Sequence, residues 1–177
     1  MQQPESHILV IFGASGDLTK RKLIPALFEL DQQKLLPEKF AILGVSRTEM
    51  TDQAFREKMR EFLPFTSPND AAFSKFLEAI YYQSLETSEA SDYPKLKERL
   101  ERLGDRLSIP ANYIFYLSTP PQLYRVIPQI LAESGMNDLS TGFKRIIIEK
   151  PFGTDLDSAR ELNKNLLTFY SEGAFQN

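Results

Sequence analysis

The segment Gly13-Ala14-Ser15-Gly16-Asp17-Leu18 directly follows Ile8-Leu9-Val10-Ile11-Phe12, an apolar run with no polar residue on either face. Two glycines permit a tight turn whose backbone N–H groups can come close to a pyrophosphate. A helix opening at that turn adds further N–H donors and the positive end of its dipole. Only two glycines of the three-glycine dinucleotide fingerprint are present, so the loop by itself leaves a phosphate cradle and an ordinary strand-to-helix turn both open. The Gly-Lys-Ser/Thr ending of a P-loop is absent, which argues against nucleoside triphosphate hydrolysis.

A second position of this kind is Ser46-Arg47, which closes the run Phe40-Ala41-Ile42-Leu43-Gly44-Val45. A dinucleotide site that reads an unmodified ribose places a carboxylate there for the 2′-hydroxyl, whereas a guanidinium suits a 2′-phosphate through charge-assisted hydrogen bonds. The residue type favours NADP over NAD. Lys20, Arg21 and Lys22 either add positive charge near the same phosphates or form a solvated helix face. Ser118-Thr119-Pro120-Pro121, between Tyr116 and Tyr124, stiffens the backbone where a nicotinamide ring could lie, or is a rigid connector. In Glu149-Lys150-Pro151-Phe152-Gly153, a lysine leaving a strand could hold an anionic substrate or the coenzyme, the alternative being a structural turn. His7, the only histidine, stands in the polar approach to the first run and reads as a solvated lead-in residue.

These loops do chemistry together only if parallel strands bring their carboxyl ends to one edge. Five short β-branched runs recur, each followed by a stretch of helical periodicity: 8–12, 40–45, 80–82, 113–117 and 145–149. The helical stretches are 18–33, with Pro25 expected to bend it or delay its start, then 52–62, 73–79, 94–103 ending at Gly104, 122–133 and 156–170. Residues 84–92 read as an exposed polar loop. The pattern is that of an α/β fold, a Rossmann-like, doubly wound, mostly parallel sheet with helices on both faces.

Composition bounds the function. With 177 residues, 42% hydrophobic and 11% aromatic, the chain can bury one sizeable core. A net charge of −3 argues against nucleic acid, which needs a basic surface. The absence of cysteine excludes disulfides, thiolate metal sites and cysteine nucleophiles. No apolar run approaches the roughly 20 residues that span a bilayer, so no membrane association and a cytoplasmic location are expected.

Gly-Ala-Ser-Gly-Asp-Leu at 13–18, Gly-Val-Ser-Arg at 44–47, Tyr-Leu-Ser-Thr-Pro-Pro at 116–121 and Glu-Lys-Pro-Phe-Gly at 149–153 occur in that order. Together they resemble the glucose-6-phosphate dehydrogenase family, specifically its N-terminal coenzyme domain, up to about Asn165. The resemblance implies oxidation of glucose 6-phosphate to the lactone with hydride transfer to NADP, at the head of the pentose phosphate pathway. It implies that Gly13, Ala14, Ser15, Gly16, Asp17, Leu18, Thr19 and Lys20 form the pyrophosphate loop and that Arg47 holds the 2′-phosphate. Lys22 and Tyr124 become coenzyme contacts, and Lys150 a residue shared by coenzyme and substrate.

The departures carry expectations too. The family's Arg-Ile-Asp-His-Tyr-Leu-Gly-Lys segment and its later catalytic histidine have no counterpart in 168–177, and no Gly-Asp pair is recognisable in Gln83-Ser84-Leu85-Glu86. Residues 1–177 are thus read as one NADP-binding domain without the family's C-terminal substrate domain. No catalytic residue is assigned, and the chain alone is expected to bind NADP with little turnover. A stand-alone, non-catalytic NADP-binding or partner-binding module, one that could associate with full-length subunits, is the alternative.

Overall fold

The computed structural model describes residues 2–64, 70–149 and 153–170 together with the short strand at 175–176. Six strands form one parallel sheet: β1 (His7–Phe12), β2 (Phe40–Ser46), β3 (Ile80–Ser84), β4 (Tyr113–Leu117), β5 (Lys144–Ile148) and β6 (Phe175–Gln176). Their order is β3-β2-β1-β4-β5-β6, so the chain reverses its direction of winding at β1. Phe12 pairs with Val45 on one side and Leu117 on the other, which brings the ends of β1, β2 and β4 level. The strand at 175–176 is not anticipated by the sequence reading. It pairs Phe175 with Ile146 and extends the sheet by one strand.

Alternation along β1 builds both layers of the core. Ile8, Val10 and Phe12 face a cluster formed with α4 (Tyr93–Leu107), α5 (Val126–Glu133) and α6 (Leu156–Phe169), including Leu96, Leu100, Ile127, Leu131, Leu162 and Leu166. Leu9 and Ile11 face the opposite cluster, built by α1 (Ile24–Gln32), α2 (Asp52–Arg60) and α3 (Ala71–Glu78) through Ile24, Phe28, Phe55, Met59, Phe73 and Phe76. A strand covered on both faces has no use for polar side chains, which is why the first run is uniformly apolar.

Three local expectations are corrected, and one is met: α1 proper starts late, at Ile24, with Pro25 in its first turn. The helix opens at Asp17, and the backbone widens into a π turn over Thr19–Leu23 before α1 starts. Within that turn the Ile24 N–H reaches back five residues to the Thr19 carbonyl. An α turn there would drive the proline ring into the carbonyl of Arg21, and the extra residue in the turn relieves that clash. Gly104 does not end α4, which runs on to Leu107 and stops at Ser108 in a left-handed conformation, φ 55°. The loop after β3 is not simply exposed: Leu85 and Thr87 are buried, the Tyr93 hydroxyl donates to the Thr87 carbonyl at 2.7 Å, and Asp92 accepts from the Glu86 N–H at 2.9 Å. His7 is the first residue of β1 and is buried, edge-on to Phe40 at 5.2 Å.

Candidate functional site

The carboxyl ends of β1 to β4 enclose a cleft of about 610 Å³. Its walls come from four loops: Gly13, Ser15 and Gly16 after β1; Ser46, Arg47 and Thr48 at and after β2; Glu86, Thr87 and Ser88 after β3; and Ser118, Thr119, Pro120, Gln122 and Leu123 after β4. It lies at the switch point of the sheet, where an open α/β fold leaves a crevice between loops that diverge to opposite faces.

The β1 turn is tighter than its sequence alone indicates. Gly13 has φ +83°, and a Cβ placed on it would fall 2.0 Å from the Ser118 carbonyl oxygen, so the β4 loop passes directly over a bare α-carbon. The N–H groups of Gly13 and Ala14 both donate to the Val45 carbonyl, at 2.9 and 3.1 Å, and Gly16 N–H donates to Gly13 at 3.0 Å. The Thr19 hydroxyl, fully buried, donates to the Gly13 carbonyl at 3.2 Å. Most of the turn's polar groups therefore hold its own shape. Asp17 and Leu18 open the helix, and their N–H groups have no carbonyl one turn back to bond, which leaves the donors of a helix N-terminus beside the cleft.

Arg47 is exposed on the cleft wall, and among the described residues it has no carboxylate partner. Its neighbours are held firmly. The Tyr82 side chain is buried; its hydroxyl bonds the Thr48 carbonyl, lies 3.1 Å from the Ser46 carbonyl and 2.6 Å from the Ser46 hydroxyl. Burial pushes the Tyr82 phenol above its ordinary range, partly offset by the bond with Ser46, so the hydroxyl stays protonated. Behind it, Asp52 accepts the Tyr82 N–H at 2.8 Å and pairs with Arg99 at 2.7 Å. Gly44 lets this corner close, since a Cβ there would stand 2.6 Å from the Phe55 ring and 2.9 Å from Ala14.

On the opposite wall the Thr119 hydroxyl oxygen is buried without a hydrogen-bond partner among the described residues. A buried orphan hydroxyl is costly in a protein interior and is satisfied at a binding site by a ligand's polar atom. An exposed cation, a helix start, a buried hydroxyl without a partner among the described residues and a turn that only glycine can make fit a phosphate-bearing dinucleotide. Among the described residues no cluster of ligating side chains could hold a metal ion.

Of the residues singled out from sequence, Gly13, Ser15, Gly16 and Arg47 line this cleft, and Ala14, Leu18 and Thr19 belong to the same turn and helix start. Asp17, Lys20, Lys22 and Tyr124 are placed differently. Asp17 takes Lys20 at 3.4 Å and Arg21 at 3.7 Å, and both cations lie over the Phe62 ring at 5.5 and 5.3 Å. Lys22 is exposed and is not among the residues that line the cleft. Tyr124 is 3% exposed within the core beside α5, where burial raises its phenol pKa. Lys150 lies outside the described residues. Thr48 and Glu86-Thr87-Ser88 escaped the sequence reading, although the rule that ligands meet strand ends would have pointed to the loop after β3.

Residues 10–175 match the family model described as "Glucose-6-phosphate dehydrogenase, NAD binding domain". The chain is 48% identical over 172 residues to a glucose-6-phosphate 1-dehydrogenase of Aggregatibacter actinomycetemcomitans, covering 95% of this chain and 34% of that protein. To the enzyme of Leuconostoc mesenteroides it is 36% identical, covering 90% and 32%. Among solved structures, a glucose-6-phosphate dehydrogenase in complex with its substrate glucose 6-phosphate superposes with a TM-score of 0.86 at 33% identity, over 99% of this chain and 36% of that one. The enzyme of Mycobacterium avium superposes at 0.80 with 30% identity, over 98% and 36%. The chain thus spans about a third of the length of the curated relatives it matches.

Proposed function

From the premise that this chain belongs to the glucose-6-phosphate dehydrogenase family and has the fold of that family's NAD-binding domain, we propose that it binds NADP in preference to NAD and serves the oxidation of glucose 6-phosphate to its lactone. The observation that carries the coenzyme preference is Arg47, a cation without a carboxylate partner among the described residues, on the wall of the switch-point cleft. When bound, NADP would accept the hydride from the sugar.

The chain's own residues then bind and orient. The β1 turn and the helix start at Asp17–Leu18 receive the pyrophosphate, Arg47 pairs with the 2′-phosphate, and Thr119 with Pro120 borders the nicotinamide end. Lys150 is proposed, from the family motif alone, as the contact shared with the substrate. The pathway step is the first oxidation of the pentose phosphate route, by family membership. A cytoplasmic location is proposed with it, and no helix among the described residues is long and apolar enough to cross a membrane.

Calorimetric titration with NADP and with NAD, on the wild-type chain and on Arg47→Ala, tests the reading. Arg47→Ala should lower the NADP preference by about 1–3 kcal/mol, the worth of a charge-assisted contact, and leave NAD binding nearly unchanged. Equal loss for both coenzymes would sink the assignment of the 2′-phosphate to Arg47.

A further inference from the structure

Arg47 is carried on a short connection, 47–51, between the end of β2 and the start of α2. A long, flexible, exposed side chain on a free loop would spend much of its binding energy on being ordered. The backbone beneath it is not free. One residue of the neighbouring strand, Tyr82, grips this connection at both ends. Its hydroxyl spans the residues on either side of Arg47, bonding the Thr48 carbonyl while lying 3.1 Å from the Ser46 carbonyl and 2.6 Å from the Ser46 hydroxyl. Its N–H donates to Asp52, the first residue of α2, at 2.8 Å. A phenol has one proton and two lone pairs, so the Tyr82 O–H serves the carbonyls and the Ser46 O–H donates to the phenol oxygen. The Tyr82 ring is itself fixed against Phe55, centroids 4.9 Å apart.

We infer that Tyr82 is a positioning residue for coenzyme discrimination: its hydroxyl, bridging the backbone on both sides of Arg47, preorganises the guanidinium for a 2′-phosphate without touching the coenzyme. This rests on the reading of Arg47 as the 2′-phosphate ligand. Tyr82 is buried and does not line the cleft, so removing its hydroxyl takes no group of its own from the cleft wall and acts through the Ser46 and Thr48 groups it holds on either side of Arg47. It should weaken NADP, which uses Arg47, and spare NAD, which does not.

The test compares NADP and NAD affinities, by calorimetry, for wild type, Tyr82→Phe, Arg47→Ala and the double variant, with Arg99→Ala as a control that disturbs the Asp52 ion pair and leaves the hydroxyl alone. Tyr82→Phe should lower the NADP-to-NAD affinity ratio about three- to tenfold, the range of one net hydrogen bond. The NAD constant should stay within about twofold, and the substitution should add nothing to the ratio in the Arg47→Ala background. Arg99→Ala should lower the melting temperature without moving the ratio. An unchanged ratio in Tyr82→Phe, with Arg47→Ala still reducing it, overturns the role of Tyr82. No change in Arg47→Ala overturns the 2′-phosphate reading instead. In the wild-type chain the Tyr82 hydroxyl proton should give a slowly exchanging NMR signal that shifts with NADP and not with NAD. Rapid exchange, or equal response to both coenzymes, overturns the inference even if Tyr82→Phe fails to fold.

Discussion

Gly13 shows how a single residue type can be dictated twice. Its positive φ excludes most side chains, and the Ser118 carbonyl occupies the place where a Cβ would go. Gly13→Ala should cost about 1–3 kcal/mol of folding free energy from backbone strain alone, with the clash adding to it. Urea denaturation measures the stability loss, and NADP titration should show weaker binding as the β1 and β4 loops part. A stability within error of wild type would mean that the β4 loop yields freely. His7 titrates in the opposite part of the molecule. Burial holds its imidazole below the ordinary value of 6.5; the Nδ1–H bond to the Glu5 carbonyl at 2.8 Å opposes this and nearby Arg145 reinforces it. The unfolded chain therefore takes up the proton at higher pH than the folded one, and stability falls as the pH drops through about 6.5. Melting temperatures at several pH values should show this fall in wild type and a flatter profile in His7→Gln. At this scale the sequence revealed the residue whose type is forced, Gly13, and set Gly16 and Arg47 at the strand ends that line the cleft. It did not reveal where Lys20, Lys22 and Tyr124 would point. Asp17 stands in the motif itself, three residues before Lys20, but Phe62, which lies under Lys20, and the space beside α5, which takes in Tyr124, stand at no fixed spacing from it.

Element by element, period and punctuation made the five longer strands and six helices legible, because buried strands and amphipathic helices must show their periods. What stayed hidden depends on neighbours. The π turn before Pro25 is one of several ways a helix can accommodate a proline. The two-residue β6 is too short to show a period and is defined by its partner β5. Gly104 reads as a helix end, yet α4 continues because Leu103 is buried against the sheet and Ser108 takes the left-handed cap. Gly44 of β2 meets Phe55 of α2 beneath the Arg47 loop, a contact expected to bear on the height of that loop above the sheet. Gly44→Ala would press a methyl group against Phe55 at 2.6 Å and displace α2 from β2. The expected cost is about 1–3 kcal/mol by overpacking, read by denaturation. A parallel drop in NADP affinity is expected as the loop above it shifts. If stability falls while the affinity for both coenzymes holds, the height of the loop is set elsewhere.

Because all the strands are parallel, the whole molecule has two unlike edges. At the carboxyl edge the loops diverge and leave the cleft. At the amino edge they are sealed: Asn112 bonds the Ser6 carbonyl at 3.0 Å, and buried Lys144 donates to Ala111, Thr141 and Gly142. His7 belongs to this sealed edge. The six residues of β1 separate it from Gly13 by about 20 Å at the usual rise of a strand, whereas a general base must come within about 3 Å of the proton it removes. Glu86 is the only carboxylate among the cleft-lining residues, and it stands on the β3 side with its Oε1 accepting from Ser88. Among the cleft-lining residues no base stands beside Thr119 and Pro120, the end proposed for the nicotinamide. The purified chain, given NADP and excess glucose 6-phosphate, should bind the coenzyme yet produce no NADPH absorbance above the uncatalysed rate. A positioned general base is worth a factor on the order of 10²–10⁴. Turnover that survived Glu86→Gln would require a proton acceptor outside the cleft-lining residues, and turnover abolished by it would move the reacting end of the cleft to the β3 side.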